Sequence, residues 1–295
     1  MNIQPERNTV PASFLLPNSS TLSFHAPLVM GIVNITPDSF YDGGKHYGTE
    51  AAVAHAEKLL EEGADIIDLG AYSTRPNAAD VGEEEERRRL LPVLEKLLKH
   101  HPKTVISVDT WRSGVALEAG TTGASIINDI SGGTMDDAMI ETTARLNIPY
   151  VLMHIKGTPQ TMQIAPEYSD IADEVEYYFT EKMNALCKAG AKQIIIDPGF
   201  GFGKTTGHNY TLLHNLNRFA KFGKPLLAGL SRKSMVYKPL GIQPDKALAG
   251  TIALNTIALL QGAHLLRVHD VAEARQTIEL VRRYKNAEIN TETRV

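Results

Sequence analysis

Disulfide bonds, membrane spans and a basic surface are all missing from this chain of 295 residues. Its one cysteine, Cys187, has no partner for a disulfide within the chain, which suits a reducing compartment. Lying in the helical pattern of residues 172–189, that thiol is expected to pack as a small apolar side chain. No run approaches the roughly 20 apolar residues that a spanning helix needs. Residues 1–11 are polar and lack the charged-then-apolar layout of a secretory leader, so the expected location is the cytoplasm. Without such a leader, Asn18-Ser19-Ser20 and Asn34-Ile35-Thr36 are chance matches to the glycosylation acceptor pattern. A net charge of −4 supplies no basic field for nucleic acid. An anionic ligand must then be held by local donors.

Hydrophobic residues make up 43% of the chain and charged residues 22%, an ordinary balance for a globular protein with a large core. At about 150 residues per domain the length suggests two domains, but α/β barrels commonly reach about 250 residues as one. Eight short apolar runs decide between these. Residues 28–33 end at Asn34, 66–67 at Asp68, 105–108 at Asp109 and 125–127 at Asn128. Residues 150–153 end at His154, 194–196 at Asp197, 225–230 at Ser231 and 264–266 at Arg267. Helical patterns lie between them, and a parallel sheet needs such crossovers. Eight repeats predict a single-domain (β/α)8 TIM barrel, whose polar strand ends face one shared site.

Residues 1–27 fall outside the repeat. Residues 14–16 and 21–24 read as a short hairpin around Pro17-Asn18-Ser19-Ser20, placed to close the bottom of the barrel. The barrel is expected over residues 28–285, followed by a polar, frayed tail at 286–295. In the first helical pattern Ala51, Val53, Ala54, Ala56, Leu59 and Leu60 face inward, leaving Glu57, Lys58, Glu61 and Glu62 outside, with Gly63 as the stop. Residues 83–89 read as a solvated helix start with its acids at the N-terminal end, where the helix dipole favours them. Residues 245–261, rich in Ala, Leu and Ile, are expected to be buried, against a second subunit. Two connections, 34–48 and 70–82, are longer than a barrel loop requires, and both follow strands on the catalytic face.

Two strings carry most of the chemistry. Met30-Gly31-Ile32-Val33-Asn34-Ile35-Thr36-Pro37-Asp38-Ser39-Phe40 ends a strand and enters a turn. Asp197-Pro198-Gly199-Phe200-Gly201-Phe202-Gly203-Lys204-Thr205 follows another strand, with glycines that let a ligand approach the backbone. The second string is not a P-loop, because Pro198 stands where the first glycine is required, and no glycine triplet has the dinucleotide spacing. With these strings the chain resembles the dihydropteroate synthase family of folate biosynthesis. The resemblance continues through Asp68-Leu69-Gly70, Ser73-Thr74-Arg75-Pro76, Ser107-Val108-Asp109-Thr110, Ile127-Asn128-Asp129-Ile130-Ser131-Gly132-Gly133 and Met153-His154-Ile155-Lys156-Gly157. It closes with Gly229-Leu230-Ser231-Arg232-Lys233-Ser234 and Arg267-Val268-His269-Asp270-Val271, so that it spans residues 29–284 with one motif per strand end.

The resemblance implies an enzyme that condenses 6-hydroxymethyl-7,8-dihydropterin diphosphate with 4-aminobenzoate, releasing pyrophosphate, and a target of sulfonamides. It places Asp109, Asn128, Asp197 and Lys233 on the pterin. A carboxylate meets the amino-pyrimidine edge by two hydrogen bonds, and a mismatched edge leaves it unpaired. Asn34, Arg75, Arg267 and His269 fall to the diphosphate, which Arg can grip with parallel hydrogen bonds. Phe40, Thr74, Pro76, Phe202 and Ser234 fall to the aminobenzoate. Mg2+ is expected on the diphosphate with Asn34 as its protein oxygen, and the relatives' habit implies a homodimer. The catalytic set is then Asn34, Arg75, Lys233, Arg267 and His269, with no nucleophile–base pair. An arylamine needs little deprotonation, so no dedicated base is expected, and the substitution is expected to be dissociative, leaving a cation delocalised into the electron-rich pterin ring.

Two departures from the family pattern stand out. Asn77 replaces the usual Gly after Pro76, at a cost in backbone freedom, and Lys156 replaces an Arg, losing bidentate geometry but keeping charge. A folate-dependent methyltransferase domain would share the pterin readers. It would lack the Thr-Pro-Asp-Ser-Phe, Ser-Arg-Lys-Ser and Arg-x-His strings together, and all three are present. A pterin-binding paralogue without turnover would show damage in the first two loops, where Asn77 is the one hint. A barrel with no small-molecule role would not need so many polar strand ends.

Overall fold

The computed structural model describes residues 9–35, 45–72 and 81–292, which form ten strands and nine α-helices. Two strands, β1 (Ser13–Leu15) and β2 (Thr21–Ser23), pair antiparallel as the expected hairpin. Its turn is closed by Asn18, whose Oδ1 accepts from the Ser20 N–H at 3.0 Å and from its hydroxyl at 2.6 Å.

The other eight strands are parallel: β3 (Leu28–Asn34), β4 (Ile66–Gly70), β5 (Val105–Asp109), β6 (Ile126–Asp129), β7 (Tyr150–Met153), β8 (Ile194–Asp197), β9 (Leu227–Ala228) and β10 (Leu265–Val268). Their order runs β8-β7-β6-β5-β4-β3-β10-β9. A parallel bridge between Ile196 and Leu226 joins the two ends, which closes the barrel. The helices that cover it are α1 (Lys45–Glu61), α2 (Glu83–His100), α3 (Ser113–Thr122), α4 (Met139–Leu146), α5 (Ile171–Ala189), α6 (Thr206–His214), α7 (Ser234–Leu240), α8 (Leu248–Leu260) and α9 (Val271–Glu292). The last helix runs to Glu292, beyond the expected barrel boundary at residue 285.

Alternation along each strand splits the core in two. Outward residues such as Val29, Val33, Ile67, Leu69, Ile106, Val108, Leu152, Ile196 and Leu266 pack against the helices. Inward residues at the strand starts (Met30, Ile66, Ile126, Val151, Ile195, Leu227 and Leu265) form a separate cluster with Phe14, Leu16, Leu22 and Phe24 of the hairpin. Phe14 and Phe24 meet edge to face at 4.9 Å. Burying each such ring contributes about 2–3 kcal/mol. The hairpin plugs the N-terminal end, so the barrel opens only at the C-terminal ends of its strands.

Three helical expectations change. In α1 it is Ala52 that is buried, with Val53, Ala56 and Leu59, while Ala54 faces solvent. The start of α2 is solvated except at Glu86, which is fully buried and ion-paired with Arg112. Removing either partner would leave a charge in the interior. Cys187 lies on the exposed side of α5 rather than in a packed one.

Candidate active site

One step above the plug, the inward positions turn polar. They are Asp68 on β4, Ser107 on β5, Asn128 on β6, Asp197 at the end of β8 and Arg267 on β10, with Asp109 and His269 nearer the mouth. Gly229, just past β9, contributes no side chain. A carbon placed there would stand 3.6 Å from the Lys233 Nζ and 4.0 Å from an Asp197 oxygen, so its absence leaves space between those two charges. An apolar wall borders the polar set: Ile130, Met153, Ile155 and Met162, with Tyr72, Trp111 and Phe202 packed on them.

Arg267 ties the polar set together. Its Nε donates to Asp68 Oδ2 at 2.6 Å and its Nη2 to Asp109 Oδ2 at 2.7 Å. The same Asp68 oxygen accepts from Asn128 Nδ2 at 3.1 Å, and the Tyr72 hydroxyl donates to Asp109 Oδ1 at 2.8 Å. One guanidinium thus links β4, β5, β6 and β10. Burial pushes the Asp109 carboxyl up to about 7, against the pull of Arg267 and with the repulsion of Asp68 added. Arg267 stays charged, because Asp68 and Asp109 more than offset its burial. Asp68 Oδ1 and Ser107 Oγ, on paired positions of β4 and β5, are buried with no hydrogen-bond partner among the described residues.

Asp197 and Lys233 form the second charged group. Asp197 is 4% exposed, and its Oδ1 accepts from the Gly199 N–H at 2.8 Å. Burial raises its pKa, opposed by Lys233, the Gly199 N–H, Arg267 and Lys204. Lys233 donates to the Phe200 carbonyl and lies 4.7 Å from the centre of the Phe202 ring. Burial lowers its ammonium to about 8, which Asp197 resists. The backbone that delivers Lys233 is bent at Arg232, a non-glycine residue at φ 56°, a conformation that costs of order 1–3 kcal/mol. Arg232 is held there by Asp270, through its Nε at 3.0 Å and its Nη2 at 2.5 Å, and by its own N–H to Thr251 Oγ1 at 3.1 Å. Ser231 Oγ lies 3.0 Å from His269 Nδ1 and accepts from the His269 N–H at 3.2 Å. His269 is solvent-exposed, and partial burial, then the charges of Arg267 and Arg232, lowers its imidazole below the ordinary histidine range. Such a shift favours the neutral imidazole near pH 7.

Known proteins match this arrangement over nearly its whole length. A family model described as pterin binding enzyme covers residues 30–269. The dihydropteroate synthase of Escherichia coli K12 is 44% identical over 278 residues, 94% of this chain and 98% of that protein. The chain belongs to the dihydropteroate synthase family. Two crystal structures agree closely in fold. A Yersinia pestis dihydropteroate synthase in complex with a sulfonamide drug is 40% identical, with a TM-score of 0.87 and coverage of 93% of this chain and 99% of that one. A Xanthomonas albilineans dihydropteroate synthase with 4-aminobenzoic acid is 42% identical, with a TM-score of 0.87 and coverage of 93% and 98%.

Within this member of the family, Asp109, Asn128, Asp197, Phe202, Lys233, Arg267 and His269 converge on the mouth of the barrel. Asn34 closes β3 and pairs in register with Gly70. Ser234 opens α7 directly after Lys233. Phe40, Thr74, Arg75, Pro76 and Asn77 lie outside the described residues. Lys156 donates to Glu174 Oε2 of α5 at 3.0 Å and stands 4.2 Å from the centre of the Tyr168 ring. Two strand ends that had no role from motif reading now have partners: Asp68 holds Arg267 and Asn128, and His154 holds Lys204. Motif reading missed Tyr72, Arg232, Met153 and Lys204. An inward aromatic or thioether position carries no signal beyond apolarity, and Arg232 and Lys204 had read only as parts of larger strings.

Proposed function

We propose that this chain joins 4-aminobenzoate to 6-hydroxymethyl-7,8-dihydropterin diphosphate, forming 7,8-dihydropteroate and pyrophosphate in folate biosynthesis. The observation that carries the reading is the inner layer itself. It sets a buried carboxylate, Asp197, near two cations, Lys233 and Arg267, in the same barrel interior as an amide, Asn128, in a chain that belongs to this family. Asp197 takes the amino-pyrimidine edge of the pterin, with Asn128 and Lys233 beside it. Asp109 acts mainly through Arg267, since its two oxygens are already engaged by Tyr72 and Arg267. Arg267, His269, Asn34 and Arg75 take the diphosphate. Phe202, with Phe40, Thr74, Pro76 and Ser234, bounds the aminobenzoate.

The reaction breaks the bond between the pterin methylene and the diphosphate oxygen, and the electron pair leaves with pyrophosphate. The amine nitrogen then bonds to the methylene and gives up a proton to solvent. The free edge of Arg267, and His269 once protonated beside the anion, stabilise the departing charge. The apolar wall aligns the amine and excludes water. Among the described residues no group of three His, Cys, Asp or Glu gathers to hold a metal, and Asn34 offers a single hard oxygen at a strand end. That donor set suits Mg2+ bound mainly by phosphate oxygens and water, where the ion would neutralise charge on the leaving group. We place the protein in the cytoplasm, in keeping with its single cysteine; among the described residues no helix is long and apolar enough to cross a membrane. We also propose a homodimer. Its face is formed by α8 together with α9, where Ile257, Leu260, Leu280 and Tyr284 are all exposed.

Pyrophosphate release, followed with and without 4-aminobenzoate, tests the function. Multiple turnovers are expected only with the amine, and at most one equivalent of pyrophosphate per site without it. No turnover with both substrates and Mg2+ present would leave a binding protein. A complete lack of cleavage without the amine would remove the dissociative order. The pH dependence tests Lys233. Its ammonium, lowered to about 8, is charged below that pH and neutral above it. The value of kcat/KM is therefore expected to fall as pH rises through about 8. Lys233→Arg keeps its charge and should move that limb upward; an unmoved limb would assign it to another group.

A further inference from the structure

The geometry points to Lys204 as a positioning residue for the aminobenzoate side of the site, acting from beneath the loop that presents Phe202. This rests on the reading of Phe202 given above.

Lys204 is 3% exposed and donates only to uncharged acceptors. Its Nζ lies 2.9 Å from the Gly199 carbonyl, 2.9 Å from the Phe202 carbonyl, 3.3 Å from the His154 carbonyl and 2.9 Å from His154 Nδ1. His154 is itself buried, and its ring is held edge-on against Tyr178 at 4.9 Å. Burial and the neighbouring Lys204 and Lys156 keep that imidazole neutral. A neutral ring with its proton on Nε2 presents Nδ1 as an acceptor.

The loop is held by every one of its carbonyls from residue 199 to residue 203. Lys204 takes those of Gly199 and Phe202, Lys233 takes Phe200, Gln163 takes Gly201 at 2.7 Å and Tyr168 takes Gly203 at 2.8 Å. The loop also lies flush on its neighbour, since a side-chain carbon at Gly199 would run into the His154 carbonyl and one at Gly203 into the Lys156 carbonyl. A backbone run with this many inward carbonyls and no helix or strand of its own depends on its donors. Lys204 supplies two of those grips, at either side of the carbonyl that Lys233 takes. It therefore sets where the Phe202 ring stands. Burial disfavours its charge, and Asp197 is the carboxylate that opposes that loss.

Two-substrate kinetics on Lys204→Met test the assignment, with Phe202→Ala as reference. Methionine keeps the length and loses the donors. The KM for 4-aminobenzoate is expected to rise roughly tenfold or more, the loss of one or two net hydrogen bonds, while that for the pterin diphosphate changes less than about threefold. Ethylammonium added to Lys204→Ala is expected to restore part of the affinity for 4-aminobenzoate. If both KM values stay at wild type while the melting temperature falls, Lys204 is a structural residue and the proposal is overturned. Equal rises in both KM values overturn it as well. Should Lys204→Met fold too poorly to assay, the ethylammonium series on Lys204→Ala decides: no gain over a sodium control counts against the proposal. Phe202→Ala separates the two readings, because its failure to raise the KM for 4-aminobenzoate overturns the aminobenzoate wall and not the grip on the loop.

Discussion

Arg267→Ala is expected to lower kcat/KM by about 10²–10³-fold and to destabilise the fold by about 3–5 kcal/mol. Both losses come from one position in the network. The guanidinium is the only group bonded to both Asp68 and Asp109 among the described residues. Without it, two buried carboxylates keep only the neutral donors Asn128 and Tyr72 among the described residues, and the diphosphate loses its main donor. The stability loss has a definite pH dependence. Burial raises the Asp109 pKa, and Arg267 is what holds it down. In the variant that pKa rises further above the unfolded value, so the folded state binds more protons than the unfolded state in between. Stability then falls as pH rises from mildly acidic through neutral, and the gap to wild type should be wider at pH 8 than at pH 5. Urea unfolding at both values measures it. Arg267→Lys keeps the charge and loses the two-sided geometry, so it should fall between the two. Activity within a factor of about two of wild type would remove Arg267 from the anion site.

Asp197→Asn should spare the fold and cost the ligand. The amide oxygen still accepts from the Gly199 N–H, so the loop start is kept. The other side of the group changes from acceptor to donor, and it faces the space beside Gly229 and Lys233. A ring whose amino and N–H groups need an acceptor now meets N–H groups. A hydrogen bond to a charged group is worth about 1.5–3 kcal/mol, and an unpaired buried donor adds to the loss. Affinity for a pterin ligand, measured by calorimetry, is expected to fall about a hundredfold or more. Lys233 also loses the charge that holds its pKa up, so the alkaline limb of kcat/KM should move below about 8. Unchanged pterin affinity would take Asp197 out of the site.

Much of this was legible in the linear chain. Alternation within residues 105–109 is enough to send Ser107 and Asp109 inward, and the same holds for Asn128 and Asp197. The Ser-Arg-Lys-Ser and Arg-x-His strings place Lys233, Arg267 and His269 at strand ends, because a parallel strand hands over to its loop at that point. Periodicity was less reliable where every candidate was apolar. In α1, Ala52 and Ala54 are equivalent in composition, and only the seat of the helix on β3 and β4 selects Ala52.

What the sequence by itself determined is the barrel, its open end and the residue types gathered there. These follow from short-range patterns: apolar runs of strand length, helices between them, and a polar residue at each exit. Only the tertiary structure decided which of those residues touch. Arg267 and Asp68 stand 199 positions apart, and their contact depends on the register of β10 on β3 and of β3 on β4. The Tyr72 bond to Asp109 and the ring of acceptors around the Lys204 ammonium depend likewise on how neighbouring loops fold over the strand ends. Such contacts are set by closure of the sheet into a barrel, a condition on all eight strands together that no local window of the chain contains.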